Sequence, residues 1–171
     1  MSRAFVKEPD GDSVVDDAPE LPVSPHPNHV TAHGLRALES EMADITTQRC
    51  ALRARGNDTN IKDMGAKLEI AAIERRQRYL AKRIDSALVH TPEETTHHRV
   101  GFGMTVIVND EEGLSHEFTI VGEDEAAPAN GQISWTSPLA RQLMDRQVGD
   151  DVRWIRPKGD VMLEVVSIRF D

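Results

Sequence analysis

The sequence is poor in cysteine, in aromatic residues and in long apolar runs. Cys50 is the only cysteine among 171 residues, which excludes an internal disulfide and a zinc site built from several cysteines. Aromatic residues make up 4% of the chain and charged residues 29%, a mixture that favours long solvated helices over one large core. No apolar run approaches the roughly 18 residues that cross a bilayer, and the opening MSRAFVKEPDGD lacks an apolar signal core. We therefore expect a cytosolic protein of two small units, with no membrane partner.

Charge is distributed unevenly along the chain. The formal net charge is −9, which argues against a general binder of duplex nucleic acid. Between Arg49 and Arg83, however, ten Lys and Arg residues stand against four Asp and Glu residues. That segment carries +6 and the other residues carry −15. Such polarity orients a molecule in the field of a charged partner and speeds their encounter.

The first half of the chain predicts a tail followed by a helix. Residues 1–29 combine six acidic side chains with a series of prolines, so they offer little apolar surface to repay the entropy of ordering. We expect a disordered acidic tail there. Thr31 can cap the next helix. Apolar residues then recur three and four positions apart, at Leu35, Leu38, Met42 and Ile45.

A turn and a second helix follow. The segment RGNDTN at 55–60 interrupts the pattern with glycine, asparagine and aspartate, which favour turns and caps. Seven positions then alternate four and three apart, which keeps one face against a partner helix: Ala66, Ile70, Ile73, Gln77, Leu80, Ile84 and Ala87. An intermolecular coiled coil also satisfies this pattern. The short turn and matching arms favour an antiparallel coiled-coil hairpin over 31–89, with its tip near 56–60.

Beyond the polar linker EETTHH at 93–98, the spacing of apolar residues changes to every second position, which is typical of strands. Strands are predicted at 104–108, 116–121, 132–135, 152–155 and 162–170. Ser137 followed by Pro138 predicts the start of a short helix running towards Gln147, because proline lacks the N–H that is unpaired there anyway. Several strands with one short helix make residues 99–171 an α+β domain.

These segments resemble the Gre transcript cleavage factors, GreA and GreB. The C-terminal resemblance lies in VGFGMTVIV at 100–108, FTIVGEDE at 118–125, ISWTSPLARQLM at 133–144, VGDDV at 148–152 and LEVVSI at 163–168. Upstream, VTAHGLRALESEM at 30–42 resembles the family's first helix, and RRQRYLAKRI at 75–84 resembles the second helix of GreB. The resemblance implies an FKBP-like C-terminal domain beside the hairpin, in a transcription factor that binds RNA polymerase.

In that family the C-terminal domain docks on the rim of the secondary channel of core RNA polymerase, and the coiled coil enters the channel. Two acidic residues at its tip help to hold the polymerase's second catalytic Mg²⁺, which two-metal hydrolysis of backtracked RNA requires. The polymerase does the cutting, so the resemblance implies a protein that is not itself an enzyme. It implies no cofactor beyond a Mg²⁺ shared transiently with the polymerase. We also expect a monomer whose tip contacts the 3′ end of nascent RNA.

The tip departs from the family pattern. The family motif reads approximately GDxSENAEY, with functional carboxylates at its Asp and first Glu, whereas this chain has GNDTNIKDM at 56–64. With the glycines aligned, the two positions fall on Asn57 and Asn60. Alignment from the second helix instead places the two carboxylate positions on Gly56 and Thr59. The acidic pair is lost either way, which leaves Asp58 and Asp63 as tip candidates.

The arms are also about one helical turn shorter than the family's, which withdraws the tip by roughly 7 Å. Metal ligation tolerates displacements of only tenths of an ångström. We therefore expect weak or no stimulation of transcript cleavage.

Candidate polymerase contacts lie in two segments of the C-terminal domain. Asp124 and Glu125 belong to the segment that resembles the family's docking loop, and Ser137 and Pro138 belong to the next one. Five basic residues on the second helix are candidates for contacting RNA phosphates or acidic groups of the polymerase: Arg75, Arg76, Arg78, Lys82 and Arg83.

Other functions stay open at this point. One is an active cleavage factor that uses Asp58 or Asp63, and another is a relative of Rnk, the regulator of nucleoside diphosphate kinase, whose helical region is shorter. A prolyl isomerase is disfavoured by the scarcity of aromatic residues for a pocket, and a zinc-finger factor of the DksA kind by the single cysteine. The adjacent His97 and His98 point to opposite sides of an extended chain, so no stable metal site is predicted.

Overall fold

The structure is a computed structural model that describes residues 18–58, 64–91, 98–156 and 159–170. Most of the predicted tail, the predicted tip from residue 59 and nearly all of the predicted linker at 93–98 lie outside these ranges. Within the described residues, no helix combines the length and the apolar character needed to span a membrane.

The chain divides into two compact units. The helical unit comprises Met1–Pro25 and Leu38–Asp85, and the sheet unit comprises His26–Ala37 and Ser86–Asp171. The first six residues of the first long helix therefore belong to the sheet unit, whereas the rest of that helix belongs to the helical unit.

Two long helices dominate the helical unit. Helix α1 spans Ala32–Asp58 with 27 residues, and helix α2 spans Met64–Asp85 with 22 residues. Their predicted apolar positions include the buried side chains of Leu38, Ile73 and Leu80. Because few other apolar side chains are available, this stripe supplies the apolar surface that makes the two helices stable.

Polar contacts between the helices show that they run antiparallel. The guanidinium of Arg76 donates to both carboxylate oxygens of Glu41, at 2.6 and 2.8 Å. Seven residues further along α1, the Gln48 side-chain amide donates to Glu69 at 3.4 Å. Since the partner position falls along α2 as the position rises along α1, the pair is antiparallel. The predicted α+β class with a helical hairpin is thereby confirmed.

Helix α1 continues through Asp58, past Gly56, where the sequence pattern predicts the turn to begin. A glycine inside a helix costs about 1 kcal/mol relative to alanine, whereas extending an existing helix by one residue adds one more hydrogen bond. One glycine near the end of a long helix therefore does not stop it. The connection from residue 59 to residue 63 lies outside the described residues.

A short parallel strand pair begins the sheet unit. Strand β1 (His29–Thr31) pairs with strand β2 (Leu88–His90), with His29 opposite Leu88 and Thr31 opposite His90. The sequence pattern places residue 29 in the tail and residues 88–89 in the hairpin, and the structure corrects both assignments. The sequence pattern missed β1 and β2 because three residues are too few to show an alternation of apolar and polar side chains. Their pairing also depends on a partner far away in the chain.

A five-stranded sheet forms the body of the sheet unit, in the order β5-β4-β3-β7-β6. Its strands are β3 (Met104–Asp110), β4 (Ser115–Val121), β5 (Gln132–Ser134), β6 (Asp151–Trp154) and β7 (Val161–Phe170). Strand β4 pairs in parallel with β5, and the other pairs are antiparallel. The predicted strands are confirmed to within one or two residues at each end.

One face of this sheet carries the apolar core. Val106 lies opposite Phe118 on the neighbouring strand, and both are buried. Helix α3 (Pro138–Leu143) adds Leu139, Ala140 and Leu143 to the same core. On the other face of the sheet the hydroxyls of Thr105 and Thr119 lie 2.9 Å apart. The period of two thus separates an apolar face from a face with polar groups.

Candidate functional site

The two predicted docking segments lie side by side in the sheet unit. They form loops at residues 122–125 and 135–138, which we call the loop pair. The Trp135 amide donates to the Val121 carbonyl at 2.9 Å, and the Thr136 hydroxyl donates to Glu123 Oε1 at 3.5 Å. Strands β4 and β5, which are parallel neighbours, end where these loops begin. The sheet therefore brings together residues separated by more than ten positions in sequence.

Ser137 and Pro138 begin helix α3, as predicted. The Ser137 hydroxyl accepts a hydrogen bond from the Ala140 amide at 3.2 Å, and Pro138 occupies the first turn. Such a cap stabilises a helix by about 1 kcal/mol. Pro138 is exposed whereas Ser137 is half-buried, so the proline is the better placed of the two for a partner protein.

Glu125 has a structural role that the sequence does not reveal. Its carboxylate accepts hydrogen bonds from the Thr31 amide at 2.9 Å, from the Thr31 hydroxyl and from the Gly122 amide at 3.3 Å. Thr31 in turn caps α1, because its hydroxyl accepts from the Gly34 amide at 2.9 Å. A carboxylate beside a helix N-terminus also opposes the helix dipole favourably. Glu125 thus fastens the start of α1 to the loop pair, and its carboxylate is committed to this internal contact.

Two glycines make this arrangement possible. A Cβ atom on Gly34 would lie 2.0 Å from Glu125 Cδ. A Cβ atom on Gly122 would lie 2.6 Å from the His29 carbonyl oxygen and 2.9 Å from Glu125 Oε1. All three distances are below ordinary van der Waals contact. The close approach of β1 and α1 to the loop pair therefore depends on the absence of side chains at these positions.

The five basic candidates on α2 differ in environment. Arg76 pairs with Glu41, and Arg78 pairs with Glu20 at 2.7 Å. The hydrogen bond from Arg78 holds the pKa of the Glu20 carboxyl below its usual value. Arg83 is 2% exposed, so it does not belong to a solvent-facing patch. Arg75 is half-buried and Lys82 is exposed. The row predicted as one basic patch is thus partly neutralised and partly internal.

The tip candidates remain predictions. Asp58 is the last residue of α1, and Asp63 lies outside the described residues. Within the described ranges, no group of three or more His, Cys, Asp or Glu side chains is arranged to hold a metal ion. These ranges do not include the connection between the two helices.

A histidine pair joins β1 to β2. His29 Nδ1 and His90 Nε2 lie 2.6 Å apart, and the His29 ring also contacts the rings of Trp135 and Phe102. Burial lowers the pKa of the His29 imidazole, and the nearby His90 lowers it further. The folded protein therefore favours neutral His29.

Stability should consequently fall as the pH drops from about 7.5 to about 5.5. The unfolded chain takes up a proton near the ordinary histidine pKa of about 6.5, whereas folded His29 resists protonation until the pH falls below its lowered pKa. Urea unfolding at both pH values measures the difference. The substitution His29→Gln should reduce this pH dependence, while His33→Gln, at an exposed position, should retain it. An equal pH dependence in all three proteins would contradict the assignment.

The protein is of the α+β class and has two units. One is a pair of long antiparallel helices, and the other contains the five-stranded sheet and the candidate contact loops. Residues 95–170 match the family model described as "Transcription elongation factor, GreA/GreB, C-term". The chain is 32% identical over 152 residues to transcription elongation factor GreB of Yersinia pestis, covering 84% of this chain and 89% of the relative. It is 38% identical over 112 residues to transcription elongation factor GreA of a Nitratiruptor species, covering 65% and 69%. The chain belongs to the GreA/GreB family, as its sequence motifs predicted.

A solved structure of the GreA factor homolog 1 protein of Thermus thermophilus also aligns with this chain. It is 24% identical, covers 84% of this chain and 99% of its own, and has a TM-score of 0.40. The family assignment rests on the sequence relatives.

Proposed function

We propose that this protein is a transcription elongation factor that binds core RNA polymerase at the secondary channel, in the cytoplasm. The observation that carries the proposal is the extent of the similarity to GreB of Yersinia pestis, which covers 84% of this chain. An alignment of that length takes in both helices as well as the sheet unit. It therefore supports a function that needs both units, rather than one that the C-terminal domain could perform alone.

The loop pair supplies the docking surface in this proposal. Asp124 is half-buried beside Glu125, and Pro138 is exposed at the start of α3, where the adjoining loop ends. An acidic group next to an apolar one suits a partner surface that offers a basic side chain and an apolar contact. Ser137 and Glu125 act as positioning residues, because their polar atoms already serve the starts of α3 and α1.

The helices supply the part that enters the channel. At 1.5 Å per residue, the 27 residues of α1 extend for about 40 Å. This length supports a Gre-type factor over an Rnk-like protein with a shorter helical region. Asn57 and Asn60 stand where one alignment with the family requires carboxylates, and neutral amides attract a divalent cation more weakly than carboxylates do. The factor therefore modulates transcription by occupying the channel, with little or no stimulation of cleavage, and the polymerase remains the catalyst.

Two assays on the full-length protein test this proposal. Purified core polymerase should retain the protein, and the combined substitutions Asp124→Asn and Pro138→Ala should weaken binding by about tenfold or more, since a few central contacts carry most interface energy. Glu111→Gln, at an exposed position on the β3–β4 turn, is the matched control and should leave binding unchanged.

Failure of the unmodified protein to bind polymerase would refute the proposal. Unchanged binding by the double variant would instead remove the loop pair from the interface. In the second assay, a backtracked polymerase complex should release cleaved RNA no faster with this protein than without it. Rapid cleavage would favour the alternative in which Asp58 or Asp63 supplies a ligand to the second Mg²⁺.

A further inference from the structure

A cavity of about 290 Å³ lies within the sheet unit, between the first turn of α1 and the sheet face opposite the apolar core. One wall contains Thr31, Ala32, His33 and Arg36. Thr119 and Val121 of β4 contribute to the other. Known ligand pockets run from about 300 to 1,000 Å³, so this cavity lies just below the lower end of that range and has room for a small molecule only. The loop pair supplies only Glu125 to its lining.

The α1 wall is cationic. Arg36 lies one turn into the helix with its side chain exposed, and His33 precedes it on the same wall. Across the part of the chain that the structure describes, no acidic side chain pairs with Arg36. His90, whose Nε2 already pairs with His29, also lines the cavity from the end of β2. A guanidinium offers two parallel N–H groups to a carboxylate or a phosphate, and an imidazole N–H adds a further donor.

Glu125 is the acidic residue of the lining, and its charge is already compensated. Both carboxylate oxygens accept hydrogen bonds from Thr31, and one also accepts from the Gly122 amide. A carboxylate with three donors and a helix N-terminus beside it repels a neighbouring anion less than a bare carboxylate does. Among the residues that the structure describes, the uncompensated charge at the cavity is therefore that of Arg36.

The sheet wall is largely apolar and remains open. Val121 and the Phe170 ring line it, and Phe170 is 37% exposed. Gly103 lies beside that ring with a positive φ of 80°, and a Cβ atom there would lie 3.4 Å from Phe170 Cε2. An aromatic or aliphatic group can thus rest on Phe170. The Gln132 side chain adds a polar group on the neighbouring strand.

We infer that this cavity binds a small organic anion, with its carboxylate or phosphate group held by Arg36 and its apolar body against Phe170 and Val121. Arg36 and Thr119, on the two walls, lie 83 positions apart in the sequence, so the site exists only in the folded sheet unit. The inference does not depend on polymerase binding, and it assigns a ligand to the surface beside Glu125.

Phenyl phosphate is the probe that combines both required features. Titrated into isotope-labelled full-length protein, it should shift the amide signals of residues 32–36 and of Thr119 saturably, with a Kd at or below about 1 mM. Benzyl alcohol, which keeps the ring but lacks the charge, should bind about tenfold or more weakly. Because this comparison uses the unmodified protein, it stands whether or not a variant folds. Benzoate, titrated in parallel, identifies the preferred anion as carboxylate or phosphate by its relative affinity.

A variant pair locates the contact. Arg36→Gln should weaken phenyl phosphate binding by about tenfold, while Arg141→Gln, which changes an exposed arginine on α3, should leave it unchanged. Arg36→Lys keeps the charge without the paired N–H groups and should fall between them. Shifts that do not saturate, equal binding of benzyl alcohol, or equal loss in the Arg141 variant would each overturn the inference. None of these measurements involves polymerase, so their failure leaves the proposed function intact.

Discussion

Replacing Asn57 by Asp and Asn60 by Glu together should make this protein stimulate transcript cleavage by about tenfold or more, provided that the missing carboxylates and not the shorter arms limit cleavage. Two-metal hydrolysis needs a second cation between the attacking and leaving oxygens, and a bound metal stabilises the transition state by several kcal/mol. Each 1.4 kcal/mol corresponds to roughly a factor of ten in rate. Two carboxylates at the tip would restore the charged oxygen ligands that the amides lack. The measurement is the rate of RNA shortening in a backtracked polymerase complex.

The alternative alignment provides the matched comparison. Gly56→Asp with Thr59→Glu adds the same two charges one position earlier along the chain. A gain in the first variant alone supports alignment from the glycine, and a gain in the second alone supports alignment from the second helix. If both variants bind polymerase but neither cleaves faster, then the shorter arms hold the tip too far from the catalytic centre. The missing carboxylates would in that case not be the reason for weak cleavage.

Gly122→Ala should destabilise the sheet unit by about 2–3 kcal/mol, in the range that overpacking a close contact costs. The added Cβ would lie 2.6 Å from the His29 carbonyl oxygen, which belongs to the backbone and cannot rotate aside as a side chain can. It would also approach Glu125 Oε1 at 2.9 Å and disturb its hydrogen bonds with Thr31. Urea unfolding followed by tryptophan fluorescence measures the loss, because both tryptophans lie in the sheet unit.

Gly101→Ala is the control for this substitution. A Cβ atom there would lie 3.7 Å from the Met104 sulfur, which is ordinary van der Waals contact. We expect its free energy of unfolding to stay within about 0.5 kcal/mol of the unmodified protein. Equal stability of the two alanine variants would show that β1 does not approach the loop pair as closely as the structure places it.

The sequence predicts the elements of this protein better than it predicts the roles of single residues. The heptad spacing of Ile73 and Leu80 gives α2 and its buried stripe, and the pair Ser137-Pro138 gives the start of α3. In contrast, the sequence predicts that Glu125 is a surface acid in a docking loop and that Arg83 is one of several basic residues on a helix. Nothing near either residue in the sequence shows that the first holds Thr31, or that the second is buried.

What the sequence alone determined is the two long helices, the five strands of the main sheet, the start of α3, their apolar faces and the family motifs. These depend on spacings of two, three or four residues, which set the face a side chain occupies whatever surrounds it. The tertiary structure decided the rest. Thr31 and Glu125 are 94 positions apart, and β1 finds its partner only at residue 88. The contact between Thr31 and Glu125 depends on the absence of side chains at Gly34, which lies against the Glu125 side chain, and at Gly122, which lies against the His29 carbonyl oxygen. No local period in the sequence encodes that approach.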